Sequence, residues 1–120
     1  MNRIHRSIFL KELKEAYPDL KQELNTQDGL FSFEVNVFLE YIQNYIDRED
    51  IENTKILLSR VNRYFSNGNK ALIESIRNGI CEDVKFEDSK KHYRSWALKY
   101  LSPQLRKERE SWVNMMGPPR

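Results

Sequence analysis

Apolar residues recur at helical spacing in blocks roughly twenty positions apart, and this period constrains the fold more than any other feature of the chain. Phe38, Leu39 and Ile42 fall in one block, Leu57, Leu58 and Val61 in the next, and Ile76, Ile80 and Val84 in a third. Each block reads as an amphipathic helix followed by a short polar break. One such helix, or one pair, cannot bury its stripe unaided. The spacing therefore predicts an all-α fold of six to seven antiparallel helices, stacked as a bundle or a short HEAT-like solenoid.

Punctuation along the chain agrees. Ser7 can cap a first helix with the stripe Phe9, Leu10, Leu13, Ala16 and Tyr17. Pro18 stops it and opens a short continuation carrying Leu20 and Leu24, before a polar break from Asn25 to Gly29. Phe31 to Phe38 alternates like a strand, but the pattern continues at Leu39, Ile42, Tyr45 and Ile46, which is helical, and a lone strand would lack a partner. Asp50 and Asn69 are expected N-caps of the next two helices. The first of these buries Thr54, Leu57, Leu58, Val61, Tyr64 and Phe65 and ends at Gly68, a residue suited to the left-handed region. The second carries Gly79, which either permits a close helix approach or breaks the helix. Tyr93, Trp96, Ala97, Tyr100 and Leu101 predict a further helix. Ser102-Pro103 then starts a last one carrying Leu105, Trp112, Val113 and Met116.

A chain of 120 residues suffices for one hydrophobic core, so residues 1–116 are expected to form a single helical domain and 117–120 a disordered C-terminal tail. The lone Cys81 leaves no internal disulfide and suits a reducing compartment. The first residues lack the apolar run of a secretory signal, and no stretch approaches the roughly 20 apolar residues of a membrane span. A cytoplasmic protein without a membrane partner is the expectation.

No constellation announces chemistry. His5, Cys81 and His92 are too scattered for a nucleophile with its base, or for metal ligands. Cys81 reads as a small buried hydrophobe. The four glycines fall at dispersed positions rather than in a phosphate loop. The chain is not expected to be an enzyme, and no cofactor or metal is expected.

Charge is distributed unevenly. Residues 1–84 hold 11 Lys/Arg against 14 Asp/Glu, and residues 85–120 hold 9 against 4, giving −3 and +5 for the two parts and +2 overall. In an antiparallel array alternate turns share one end. Asp47, Glu49, Asp50 and Glu52 should thus join Glu82, Asp83, Glu87 and Asp88 in an acidic edge able to dock a basic protein. Opposed to it, Lys90, Lys91, Arg94, Lys99, Arg106 and Lys107 interleave with aromatics in a segment (residues 90–109) that could contact phosphates and bases. If the aromatics instead face the core, these cations merely solvate the other face, so nucleic acid is the less expected partner.

Val37 to Ile42, Asn78 to Val84 and Leu98 to Arg106 resemble segments of small all-helical bacterial proteins of the toxin-immunity type, a likeness covering roughly residues 8–108. The resemblance implies a protein that neutralises a cognate toxin by covering its working surface, and it implies no catalytic residue. Immunity proteins against nuclease toxins are commonly acidic, whereas this chain is slightly basic. The alternative expectation is a nucleic-acid-binding or regulatory helical domain using the basic segment.

Overall fold

The computed structural model describes residues 3–27 and 29–120; Met1, Asn2 and Asp28, the last in the predicted polar break, lie outside them. Helices α1 (Arg6–Ala16), α2 (Lys21–Asn25), α3 (Phe31–Asp47), α4 (Ile51–Asn67), α5 (Lys70–Glu82) and α6 (Pro103–Met116) are joined by turns. Two of the connections contain 3-10 turns, at Pro18–Leu20 and Ser95–Tyr100. No strand occurs among the described residues. The apparent alternation of Phe31 to Phe38 lies inside α3, where Val35, Phe38, Leu39, Ile42 and Ile46 are buried.

The predicted caps at α4, α5 and α6 are formed. Asn53 N donates to Asp50 Oδ1 at 3.1 Å, Leu72 N to Asn69 Oδ1 at 3.0 Å, and Leu105 N to Ser102 Oγ at 3.4 Å. Each satisfies an N–H that the first helical turn leaves without a partner. The start of α1 differs: His5 holds the cap position, and the Ser7 hydroxyl bonds His5 Nδ1 at 2.8 Å instead of a backbone N–H.

The helices share one core. Phe9 of α1 is fully buried and meets Phe31 and Phe38 of α3 and Tyr64 of α4 edge-on, with ring centroids 5.7, 5.9 and 5.1 Å away. The first helix thus packs against two later ones in one compact helical bundle. Extents of 37 × 28 × 24 Å fit that shape. The segment before α1 is tied to the α4–α5 turn, with Ile4 N donating to Asn67 O at 2.8 Å and Asn69 N to Ile4 O at 2.7 Å.

Both interior glycines serve close approach. A Cβ on Gly79 would collide with Leu39 Cδ1, so α5 continues unbroken and presses its backbone onto α3. Gly68 is not left-handed as expected: its φ of −69° and ψ of 160° are extended. Glycine fits there because a Cβ would strike the Tyr64 carbonyl and crowd Leu72.

The helix expected over Tyr93 to Leu101 does not form. Residues 83–94 are irregular, and only Ser95–Tyr100 makes a 3-10 turn. Asp88 and Ser89 instead hold the backbone in turns, their side chains accepting N–H groups just before and at the start of that stretch. Arg94 N and Ser95 N both donate to Asp88 Oδ1 at 2.8 Å, and His92 N donates to Ser89 Oγ at 3.1 Å. Ala97 and Leu101 still reach the core, whereas Tyr93 is 54% exposed. Phe86, which no periodicity flagged, is buried instead. Gly117, at φ 85°, ends α6, and residues 117–120 carry no helix.

Candidate binding surface at the α3–α5 end

The acidic turns after α3 and α5 lie at one end of the bundle, and local chemistry shows why. Gln43 Nε2 donates to Lys85 O at 3.0 Å, and Lys85 N returns to Gln43 Oε1 at 2.7 Å. This reciprocal pair stitches the exit of α5 to the last turns of α3. Between them runs a groove of about 460 Å³, lined by Glu40, Gln43, Asp47, Asp83, Lys85 and Arg94 over Leu39 and Val84.

The eight predicted edge carboxylates divide into two sets. Four are engaged within the chain. Asp47 receives Arg94 Nε at 2.6 Å, Asp50 caps α4, Glu87 receives Arg109 Nη1 at 2.7 Å, and Asp88 holds the start of the second 3-10 turn, its Oδ2 accepting from Ser95 Oγ at 2.9 Å. The other four, Glu49, Glu52, Glu82 and Asp83, are exposed and make no ion pair among the described residues.

Three of these free acids sit where they work against the fold. The α3 exit closes with Glu49 N donating to Ile46 O at 2.9 Å and Asp50 N to Tyr45 O at 3.0 Å. That paired closure normally places glycine at its left-handed position, yet Glu49 occupies it at φ 55°. Glu82 and Asp83 terminate α5, whose C-terminal dipole end disfavours negative charge.

The predicted basic residues do not assemble into one stripe. Arg94 is nearly buried against Asp47, and Lys99 lies over the Tyr100 ring at 5.1 Å. Arg106 faces Glu110 at 3.6 Å, and Lys107 lines a separate groove between α5 and α6. Lys90 and Lys91 alone stand together, exposed on the turn that follows Ser89.

Sequence reasoning placed Arg109 at the end of the basic segment and missed its role inside the fold. Arg109 is 3% exposed and donates to Ile80 O at 3.2 Å, Val84 O at 2.9 Å and both Glu87 oxygens, while its guanidinium lies 4.9 Å from the Phe86 ring centre. The only sequence signal was its position on α6, four residues after buried Leu105. Arg6 is a smaller instance, gripping the buried Glu34 with two contacts of 2.7 Å. Cys81 is buried as expected, and burial pushes its thiol pKa up, away from reactivity.

Two carboxyls that fasten the 83–95 segment titrate low. Burial pushes Asp47 up, but hydrogen bonds from Arg94 and Gln43 outweigh it and hold the group below its ordinary value. Asp88 is lowered by the Ser95 and Arg94 backbone N–H groups and the Ser95 hydroxyl. A depressed carboxyl contributes stability that is present above its unfolded pKa and lost as pH falls through the folded one. The segment should therefore loosen below about pH 4, and Trp96 emission should shift before helical circular dichroism falls. Asp88→Asn should flatten that early phase; an identical acid profile in the variant would remove Asp88 from the fastening.

The chain belongs to the family described as a domain of unknown function, DUF7674, whose model matches residues 10–116. No curated protein and no solved structure matches it.

Proposed function

We propose that this DUF7674 member works by binding another protein, and that the binding neutralises a toxin: an immunity protein that covers a basic working surface of its cognate partner. The observation that carries this reading is the placement of Glu49, Glu82 and Asp83, three exposed acids at one end of the bundle, each unfavourable to the helix it terminates. Stability does not explain them, whereas capture of a basic surface does. Unpaired acids on one end of the molecule raise the encounter rate with a positive partner. An interface of standard size, about 800 Å² per partner, needs only a few anchors of this kind. The reading assigns no catalytic role and calls for no cofactor. Nucleic-acid binding through the basic segment is less well supported, because Arg94 is committed to Asp47 and the remaining cations point to different surfaces.

The test is capture of the protein encoded beside this one by wild type and by Glu82→Lys/Asp83→Lys. The variant should keep its helical spectrum, because positive charge suits the end of α5. Its association rate should fall about tenfold or more, and the wild-type rate should drop as salt screens the steering. Glu49→Gly should go the other way on stability, raising it by up to about 1 kcal/mol as the left-handed strain is relieved, while weakening capture. Equal rates for all three proteins would place the contact elsewhere.

A further inference from the structure

The irregular segment before the second 3-10 turn carries a feature that the acidic edge does not use. Ser89 N donates to His92 O at 2.8 Å and closes a four-residue turn, while Ser89 Oγ accepts from Lys91 N at 3.3 Å and His92 N at 3.1 Å. Lys90 and Lys91 occupy its corner, exposed and without an ion pair among the described residues.

Tyr93 follows, its carbonyl held by Trp96 Nε1 at 2.7 Å while the residue stays 54% exposed. The base of the turn is fixed on both sides, by Asp88 receiving Arg94 N, Ser95 N and Ser95 Oγ, and by the Arg94–Asp47 pair. The backbone is thus tied down at each polar step, while two ammonium groups and a phenol are left for something else.

Such a turn loses little conformational freedom on binding, and an exposed tyrosine on a fixed backbone is the side chain that most often anchors an interface. We propose that the Ser89–His92 turn is an insertion tip for an acidic recess on a protein partner, where Lys90 and Lys91 meet carboxylates and Tyr93 packs at the rim. A polyanionic strand fits less well. No continuous basic stripe extends from the tip to carry a row of phosphates, since Lys99, Arg106 and Lys107 lie on other surfaces. This inference does not rest on the acidic-edge reading, since it concerns the opposite charge on a different segment, and its variants leave the free acids Glu49, Glu52, Glu82 and Asp83 in place.

The probe is fluorescein-labelled hexaglutamate, titrated with the full chain at low ionic strength and followed by anisotropy, beside a labelled oligothymidylate strand. Lys90→Ala/Lys91→Ala should weaken hexaglutamate binding at least about tenfold, and Tyr93→Ala should weaken it too, which a diffuse charge attraction would not show. Lys99→Ala/Lys107→Ala should leave it unchanged. Asp88→Ala keeps every cation but frees the turn, and should weaken binding through lost pre-organisation while the helical spectrum persists. Thermal melts of the tip variants should match wild type, because none of the three side chains has a partner in the fold. Binding insensitive to Lys90, Lys91 and Tyr93 would overturn the proposal. So would oligothymidylate binding more tightly than hexaglutamate with the same residue dependence, which would make the tip a nucleic-acid contact.

Discussion

Arg109→Ala should destabilise the protein by about 3–5 kcal/mol, because a buried guanidinium serves two carbonyls and a half-exposed carboxylate at once, and lower its melting temperature by roughly 10–20 °C. The side chain closes the C-terminal end of α5 through Ile80 O and Val84 O, binds Glu87, and covers Phe86. Removing it leaves two carbonyls without their donor, each costing about 1–3 kcal/mol if no water replaces it, and opens a cavity beside Phe86. Arg109→Lys should recover little. An ammonium has three donors around one point, whereas the guanidinium fork reaches two carbonyls and a carboxylate at once. Urea titration of wild type, Arg109→Lys and Arg109→Ala measures this. If lysine restores most of the stability, charge rather than the fork is what the site requires.

That residue also shows where sequence reading stops. The bundle was legible because a periodic stripe must be buried, and the stripes of α3, α4 and α5 coincide with the buried residues almost one for one. Caps were legible for a similar reason: Asp50, Asn69 and Ser102 each act on the N–H group three residues away. The segment between α5 and α6 was not legible. Its shape depends on Asp47, Gln43 and Arg109, which lie 22 to 47 residues from their partners there. The aromatic spacing from Tyr93 to Tyr100 mimicked a helix, while Asp88 and Ser89 hold the backbone before and at its start in side-chain-bonded turns. The candidate surface followed the same division. That the two acidic turns share an end followed from the antiparallel stacking. Which acids stay free did not, because Asp47 and Glu87 are neutralised by arginines that the sequence pattern placed in the basic segment. Asp50, taken as part of the edge, is committed to its cap, so reversing its charge would confuse binding with folding.

Phe9→Ala is expected to be as damaging as the loss of Arg109, for a different physical reason. The ring is fully buried and its edges meet Phe31, Phe38 and Tyr64, so it joins α1 to both α3 and α4. Truncation forfeits the transfer free energy of the ring and leaves a void that three helices cannot close together, for a cost of about 3–5 kcal/mol. Edge-to-face contacts add about 0.5–1.5 kcal/mol per pair beyond burial. The same void would disturb Tyr64, whose hydroxyl donates to Glu12 Oε1 at 2.9 Å, while Arg63 grips both oxygens of that carboxylate. Burial first, and then the Glu12 contact, push the Tyr64 phenol pKa well above its ordinary value, so its proton is retained while the core is intact. Phe9→Leu, which keeps most of the volume, should recover a large share of the stability, and Phe9→Ala should expose Tyr64 to titration at lower pH. Denaturant unfolding followed by circular dichroism, with tyrosine absorbance read against pH, tests both parts. A Phe9→Ala protein within about 1 kcal/mol of wild type, a change expected of an exposed site, would mean that α1 is an appendage and that the core of the bundle closes without it.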